Sequence, residues 1–278
     1  MGKTSRRRRP RQRHRQDSTP FRILSYLLTN ITITIFWFYL FVLNRTTVIG
    51  RHNVGKARNT LLLSNHQSMI DSFIVGAGAF YPHSLLKPHL LPWNPAAEEN
   101  FFRPRVLAWF IHHFRGIPIV EGRRDPRALH RMVEVLPKGV MTIFPEGTRS
   151  RDGAVGPARA GAGLLVLAAR PKVIPVAIDG MKEVLPIGHR IPKIFKRIYI
   201  SYGEPLDYSE FLDKPRTKET SQALIDKVMK AIEAQHAEIR RLRAGGRGRG
   251  GGVAQQDPAS QPLHERRPSS HDLTRTKN

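Results

Sequence analysis

The chain has 278 residues, enough to bury one good hydrophobic core with appendages. It contains no cysteine, which excludes disulfides, thiolate zinc sites and cysteine nucleophiles from this sequence. Its formal net charge is +24, and a surplus of that size favours anionic partners over mere solubility. We therefore expect the chain to bind a membrane lipid, a nucleic acid or a phosphorylated substrate.

The positive charge is distributed along the whole chain. Of the 46 Lys and Arg residues, nine lie within residues 1–22 and six within residues 244–278, which leaves 31 basic against 18 acidic residues between them. The head, residues 1–20, is Arg-rich without apolar periodicity and is predicted to be disordered. The tail, residues 244–278, is rich first in Gly and Arg and then in Gln, Pro and Ser, and is predicted to be a flexible extension.

Residues 23–43 run for twenty-one residues without a charge, close to the roughly 20 residues that cross a bilayer core. This predicts a membrane-anchoring helix over residues 21–44, with Trp37, Phe38 and Tyr39 at the membrane interface. A signal peptide fits less well, because no small-residue cleavage site follows, and a core helix of a soluble domain is the other alternative. Basic residues on both sides favour a helix that enters one leaflet over one that crosses, with the following domain on the cytoplasmic face.

Strand-like and helix-like segments alternate from residue 45 to residue 243. The predicted strands cover residues 46–49, 60–63, 116–120, 140–144, 173–178 and 197–202. The predicted helices cover residues 69–80, 103–114, 126–136, 160–169 and 219–243, the third with Asp125 as its N-cap and a proline at its first position. This alternation predicts an α/β domain in which a mixed, largely parallel sheet is covered by helices. In such a domain the site lies at the carboxyl ends of the strands.

The first motif, Asn65-His66-Gln67-Ser68-Met69-Ile70-Asp71, follows the apolar run at residues 60–64. A neutral histidine is a suitable base for activating a hydroxyl, so His66 is the predicted general base. Asp71 is predicted to bind the other ring nitrogen, which fixes the tautomer and stabilises the imidazolium. Ser68 is expected to cap the helix between them, and Asn65 either fixes the turn or orients the site.

The second motif, Phe144-Pro145-Glu146-Gly147-Thr148-Arg149-Ser150, follows the apolar residues 140–143. Gly147 allows close approach of the backbone, Arg149 can bind a phosphate with two hydrogen bonds, and Thr148 adds a hydroxyl donor. Glu146 would repel phosphate, so we expect it to align Arg149 or to hold an acceptor hydroxyl. Backbone N–H groups near Gly147 are the expected oxyanion donors.

In this order, the N-H-x-x-x-x-D motif, an Arg-bearing segment at residues 115–124, F-P-E-G-T-R-S and V-I-P-V at residues 173–176 resemble the glycerolipid acyltransferase family. That family comprises the 1-acyl-glycerol-3-phosphate acyltransferases and their relatives, and the resemblance covers residues 48–206. It implies that Arg123 helps to bind the acceptor phosphate and that residues 173–176 line the acyl pocket. It also implies a half-inserted N-terminal helix. Arg159 either adds charge to the phosphate pocket or is a solvated residue at a helix N-terminus.

The resemblance therefore predicts a membrane-bound O-acyltransferase. Such an enzyme transfers a fatty acyl group from acyl-CoA or acyl carrier protein directly to the hydroxyl of a lysophospholipid, here 1-acyl-glycerol 3-phosphate, to give phosphatidate. Glycerol 3-phosphate or another lyso-lipid is the alternative acceptor. No cofactor or metal is expected, and His112-His113 lacks companion ligands at zinc-like spacing, which favours helix packing.

An interpretation from a different class is a nucleic-acid-binding or membrane-scaffold protein that uses the basic head and tail. It leaves both motifs unexplained, so nucleic acid is not the expected partner.

Overall fold

The computed structural model of the protein describes residues 19–97, 113–120 and 125–245. Arg123, most of the head, the tail beyond Gly245 and most of the helix predicted over residues 103–114 lie outside these ranges. The described helices are Thr19–Trp37 (α1), Asp71–Phe80 (α2), Pro126–Val135 (α3), Ala160–Ala169 (α4), Met181–Val184 (α5) and Lys218–Gly245 (α6). The described strands are Thr46–Ile49 (β1), Thr60–Ser64 (β2), Asn94–Ala97 (β3), Gly116–Ile119 (β4), Val140–Ile143 (β5), Lys172–Asp179 (β6) and Ile198–Tyr202 (β7).

The main sheet has the strand order β1-β7-β6-β2-β5. Its neighbours pair in parallel except β6 with β7, which are antiparallel. The predicted mixed, largely parallel sheet is therefore confirmed. Strand β3 was not predicted, because Asn94-Pro95-Ala96-Ala97 shows neither alternation nor β-branched residues. It pairs in parallel with β4 to form a small second sheet, which is joined to β5 through a bridge between Trp93 and Met141.

Strand β2 lies inside the main sheet, and all five of its residues are buried. Alternate side chains enter opposite faces, since Leu62 packs in one hydrophobic cluster and Leu61 and Leu63 pack in another. Helices α1 and α2 cover the first face, and α4 and α6 cover the second. Burial on both faces explains why this strand is a continuous apolar run.

The predicted helix boundaries agree closely where local signals are strong. Asp125 caps α3 as expected, accepting hydrogen bonds from the backbone N–H groups of Arg127 and Ala128, and α4 spans residues 160–169 as predicted. Helix α2 begins at Asp71, two residues later than predicted. The prediction that Ser68 caps it was wrong, because the Ser68 hydroxyl instead donates to the carbonyl of Leu185.

Helix α1 continues as a π-helix over Phe38–Leu43. Within the described ranges, this continuous helix is the one long and apolar enough to cross a membrane. One of its faces packs on the domain: Ile33 and Leu40 are buried, and Phe36 stacks on Phe73 with ring centroids 4.0 Å apart. The other face exposes a row of large apolar side chains, namely Ile23, Leu24, Leu27, Ile31, Ile35, Phe38 and Val42.

The aromatic end of α1 differs from the sequence-based expectation. Of the three residues assigned to a membrane interface, Trp37 stacks on Tyr81 at 4.9 Å, and the Tyr39 hydroxyl donates to the carbonyl of Lys193. Only Phe38 of the three is exposed, at 51%. The helix thus presents its aromatic residues mainly to the protein and its aliphatic residues mainly to the outside.

Candidate active site

The two motifs meet because β2 and β5 are neighbouring parallel strands. Leu63 pairs with Ile143, so His66 and Glu146 each lie three residues beyond a paired position at the same edge of the sheet. Parallel neighbours end at a common edge, which brings the loops that follow them together. The site is therefore built where the sequence predicted it, at the carboxyl ends of two strands.

Hydrogen bonds join the two loops into one unit. The backbone N–H of His66 donates to Glu146 Oε1 at 3.1 Å, and the backbone N–H of Ser150 donates to the carbonyl of His66 at 2.7 Å. The second loop is also tied to the start of α4, because the N–H of Arg159 donates to the carbonyl of Pro145 at 2.9 Å. His66 is consequently held by its backbone as well as by its side chain.

The imidazole of His66 has a fixed orientation. Its Nδ1 lies 2.8 Å from Asp71 Oδ2, and its ring stacks on Phe144 with centroids 4.0 Å apart and an interplanar angle of 13°. The side chain is 18% exposed, whereas that of Asp71 is fully buried. Since Asp71 accepts the proton on Nδ1, the other nitrogen, Nε2, is left as the proton acceptor of a neutral ring.

Asp71 is the first residue of α2 and binds the loop as well as the histidine. Its Oδ2 accepts the backbone N–H of Gln67 at 2.6 Å and that of Ser68 at 2.7 Å. Together with the His66 ring, these amides give the carboxylate three hydrogen-bond donors at the N-terminus of α2. The carboxylate therefore shapes the turn that carries His66 in addition to orienting its ring.

Glu146 is 5% exposed, and its partners differ from those expected. Its carboxylate accepts backbone N–H groups of His66 and Gly156, and no contact with Arg149 is found within the described part of the chain. The alternative that Glu146 holds an acceptor hydroxyl stays a prediction. Burial raises the pKa of Glu146 above its usual value, although these hydrogen bonds act in the opposite direction. Glu146 is thus a buried bridge between the two motif loops.

A cavity of about 540 Å³ opens beside His66. Its polar end includes His66, Thr148 and Arg149, and the rest is lined largely by apolar side chains such as Ile33 of α1 and Phe73 of α2. His66, the cationic Arg149 and several apolar side chains therefore line the same cavity. This arrangement suits a substrate that has an anionic group and a hydrocarbon chain.

Gly147 occupies a tight turn with φ of +69°, a conformation that favours glycine. A side chain there would also meet the Arg159 guanidinium, whose Nε would lie 3.0 Å from the added carbon. Arg159 accordingly lies beside the turn, but it is exposed at the N-terminus of α4, so both interpretations of this residue stay predictions. The N–H of Gly147 itself donates to the carbonyl of Phe144 at 3.0 Å, and the oxyanion donors expected near Gly147 stay a prediction.

The side-chain amides of Asn65 and Gln67 in the first motif hold the loop that carries His66 by hydrogen bonds to the backbone. Asn65 exchanges two hydrogen bonds with the backbone of Ile178 in β6, at 3.0 and 2.8 Å, so it fixes the turn. Gln67 was not singled out from the sequence, yet its amide accepts from the N–H of Met181 and donates to the carbonyl of Gly153. Its only sequence signal was its position, directly after a buried strand.

Two other predictions concern residues at the margins of the described ranges. Arg123 lies outside them, so its role in phosphate binding stays a prediction. His113 packs against α1, with Nδ1 2.6 Å from the Ser25 hydroxyl and its ring stacked on Phe21, which confirms the helix-packing interpretation for that residue. Among the described residues, no group of three or more His, Asp and Glu side chains could hold a metal ion.

The Acyltransferase family model matches residues 45–179. The chain is 28% identical over 164 residues to the chloroplastic 1-acyl-sn-glycerol-3-phosphate acyltransferase BAT2 of Brassica napus, which covers 56% of this chain and 42% of that protein. It is 28% identical over 176 residues to the N-acylphosphatidylethanolamine synthase of Arabidopsis thaliana, which covers 58% of this chain and 59% of that protein. The chain thus spans about two fifths to three fifths of the length of these relatives.

The fold is similar to that of a solved structure, the 1-acyl-sn-glycerophosphate (LPA) acyltransferase PlsC of Thermotoga maritima. The TM-score is 0.59 at 24% sequence identity, with 79% of this chain and 81% of that chain covered. The matching family model and the named relatives are those of acyltransferases, and the fold is similar to that of a solved acyltransferase. Residues 45–179 thus match an acyltransferase domain, and the chain is similar to the 1-acyl-sn-glycerol-3-phosphate acyltransferases, as its motifs indicated.

Proposed function

We propose that this protein transfers a fatty acyl group from acyl-CoA or acyl carrier protein to the hydroxyl of a lysophospholipid. The proposed acceptor is 1-acyl-glycerol 3-phosphate and the product is phosphatidate. One observation carries the proposal: His66, paired with Asp71, shares an otherwise largely apolar cavity with Arg149.

The chemistry follows from the two ring nitrogens of His66. Nε2 removes the proton of the acceptor hydroxyl while its oxygen attacks the thioester carbonyl, and Asp71 stabilises the imidazolium that results. The tetrahedral intermediate then collapses, the carbon–sulfur bond breaks, and the leaving thiolate takes the proton from the imidazolium. The oxyanion is bound by the remaining backbone donors of the second motif, on Thr148 and Arg149.

A phosphate on the acceptor is supported by the charge around the polar end of the cavity. Arg149 and Thr148 line it, and Arg159 lies against the turn at Gly147. Arginine suits this task because its planar guanidinium matches two phosphate oxygens at once. The family resemblance adds Arg123 to this set.

We further propose that α1 anchors the protein to one leaflet, with the domain on the cytoplasmic face. The packing of α1 supports this, because one face of the helix contacts the domain from Tyr26 near its start to Leu40 in the π-helical part. Packing of one side of the helix on the domain favours this over a helix surrounded by lipid across a full bilayer. Its exposed aliphatic row suits insertion in the membrane plane.

The direct test is an acyl-transfer assay of the purified protein in detergent, with both donor types and a panel of acceptors. The panel includes 1-acyl-glycerol 3-phosphate, glycerol 3-phosphate, lysophosphatidylcholine and phosphatidylethanolamine, the last because of the relative from Arabidopsis thaliana. We expect the highest kcat/KM for 1-acyl-glycerol 3-phosphate. Preference for an acceptor without a phosphate monoester would overturn the acceptor assignment, and absence of transfer to every acceptor would overturn the proposed function.

A further inference from the structure

The segment between α5 and β7, residues 186–196, exposes an unusual number of apolar side chains. Outside the helix at Thr19–Leu43, seven large apolar side chains of the described residues are exposed, and four of them belong to this segment. Ile191 is 83% exposed and Phe195 is 72% exposed, with Ile187 and Ile194 less so. Exposed apolar side chains grouped in this way mark a contact surface.

The same segment is basic. His189, Arg190, Lys193 and Lys196 alternate with the apolar residues, and residues 186–196 contain no Asp or Glu. Lys193 and Lys196 also line a second cavity, of about 650 Å³, which contacts Gln67 of the first motif. Arg151, Lys182 and the acidic Glu183 line the same cavity. An apolar surface interleaved with cations complements an anionic lipid surface, whose phosphates lie just outside its acyl chains.

Three hydrogen bonds attach this segment to the carboxyl end of the α1 helix. The Tyr39 hydroxyl donates to the carbonyl of Lys193 at 2.5 Å, the N–H of Phe195 donates to the carbonyl of Leu43 at 3.1 Å, and the N–H of Lys196 donates to Asn44 Oδ1 at 2.9 Å. Phe195 itself has φ of +60°, which is costly for a bulky residue. These bonds hold a strained backbone, with the aromatic ring of Phe195 exposed, at the carboxyl end of the π-helical continuation of α1.

We propose that residues 186–196 are a second membrane-contact surface of this chain, specific for anionic lipid. The proposal rests on the membrane anchoring by α1 proposed above. The apolar side chains enter the acyl region of the leaflet, and the lysines of the cavity bind lipid phosphate. Attachment to α1 makes the contact continuous with the anchor, and it places the lipid headgroups directly beside Gln67 and Ser150 of the two motifs.

The absence of cysteine allows a site-specific test on the full chain. Ile191→Cys and Phe195→Cys are labelled with a polarity-sensitive fluorophore and mixed with vesicles of phosphatidylcholine and phosphatidylglycerol. Ile31→Cys reports on α1, and Lys230→Cys, exposed on α6 at the opposite face of the sheet, is the control. We expect labels at 191 and 195 to shift to the blue and to be quenched by nitroxide lipids. The label at 230 should be quenched by aqueous iodide.

The same probes separate this proposal from the proposed anchoring. If labels at 191 and 195 behave like the label at 230 while the label at 31 is quenched by lipid, the second contact is overturned and the anchor stands. If the label at 31 also stays in water, both are overturned. An acidic protein as the natural occupant would leave the labels at 191 and 195 unquenched by lipid, which equally overturns the proposal.

The basic part of the surface has its own test. The double substitution Lys193→Gln and Lys196→Gln should weaken partition into vesicles rich in phosphatidylglycerol at least about tenfold, with little change for pure phosphatidylcholine. Lys218→Gln with Lys230→Gln on α6 is the control of equal charge. Equal losses for the two double variants would contradict a specific lipid contact, and circular dichroism checks that each variant is folded.

Discussion

At the scale of single residues, the site depends on how His66 is held. Its ring is fixed by Asp71 and Phe144, and its backbone by Glu146 and Ser150. The general-base role proposed for His66 needs this restraint, because proton transfer requires Nε2 to lie within hydrogen-bond distance of the acceptor hydroxyl.

Replacing the base should remove most of the activity. We expect His66→Ala to lower kcat by roughly 10²–10⁴-fold, the usual contribution of a general base, with a much smaller effect on acceptor affinity. The measurement is steady-state acyl transfer in detergent. His130→Ala is the matched control, because that histidine is 77% exposed on α3 and, among the described residues, pairs only with the exposed Glu134. Turnover of His66→Ala close to that of His130→Ala would rule out His66 as the base.

Two substitutions of Glu146 distinguish a structural role, in which its carboxylate joins the two loops, from a role that requires its charge. We expect Glu146→Gln to retain turnover, because the amide oxygen can still accept the N–H of His66, and Glu146→Ala to lose about tenfold as the loop loosens. If Gln is as damaging as Ala, the charge itself is required.

The difference in stability between the wild type and the Glu146→Gln variant should depend on pH. Burial raises the pKa of Glu146 above 4.5, so the folded state disfavours its ionisation. The contribution of this residue to stability is therefore present below pH 4.5 and is lost as the pH rises through the folded-state pKa. Unfolding titrations should show the wild type losing stability relative to Glu146→Gln as the pH increases.

At the scale of elements, the contact between α4 and α6 depends on a missing side chain. A Cβ at Gly163 would lie 2.0 Å from the carbonyl oxygen of Ser221, whereas one at Gly161 would meet nothing within 4 Å. We expect Gly163→Ala to lower the free energy of unfolding by about 2–3 kcal/mol through overpacking. Gly161→Ala should raise it by about 0.5–1 kcal/mol, since alanine favours a helix. Denaturant titrations of the two variants decide this, and similar effects at both positions would contradict the packing described.

Ion pairs join the carboxyl end of α6 to Asp179, the last residue of β6, and to Glu183 of α5. Arg243 binds Asp179 at 2.6 Å and also binds Glu183, while Asp179 lies 3.4 Å from Gln67 Nε2. Burial by itself would raise the pKa of Asp179, but the His236 ring, whose Nε2 lies 3.7 Å from Oδ1, and the hydrogen bond from Arg243 hold this pKa well below its usual 3.8. Stability from this carboxylate is therefore present above pH 3.8 and is lost as the pH falls through the folded-state pKa.

We expect Arg243→Met to cost about 2 kcal/mol at pH 7, less than a fully buried pair because both groups keep some exposure. The difference from wild type should shrink as the pH falls below 3.8. Arg241→Met is the control, because Arg241 is 81% exposed and its one ion pair within the described ranges is with Glu238. A cost that does not change with pH would show that the arginine acts through packing and not through Asp179.

At the scale of the whole molecule, we expect the basic head and tail to be separable from the domain for which acyl transfer is proposed. We expect a chain of residues 19–245, which keeps α1 and all of α6, to retain acyl transfer in detergent within about twofold. Its affinity for anionic vesicles should fall at least about tenfold, since each Lys or Arg near the surface contributes about 1 kcal/mol. Loss of transfer in detergent would contradict this division, and salt-dependent binding of nucleic acid by the full chain alone would favour an accessory role for the head and tail.

The sequence alone determined the features that depend on short stretches of chain. Apolar runs set most strand positions, Asp125 and Pro126 set the start of α3, and the five-residue spacing of His66 and Asp71 placed that pair in one turn. Strand β3 escaped prediction because a Pro-Ala-Ala sequence has no strand signal of its own. It forms only because β4 and Trp93 provide partners.

The tertiary structure decided which distant segments meet. No local signal states that β2 pairs with β5, that Glu146 accepts the N–H of His66, or that α1 forms one wall of the cavity. Such contacts join residues separated by tens of positions, and their geometry depends on which strands become neighbours and which helix faces they bury. The residue types therefore specify the chemistry that is available, and the order of strands in the sheet brings those residues to one site.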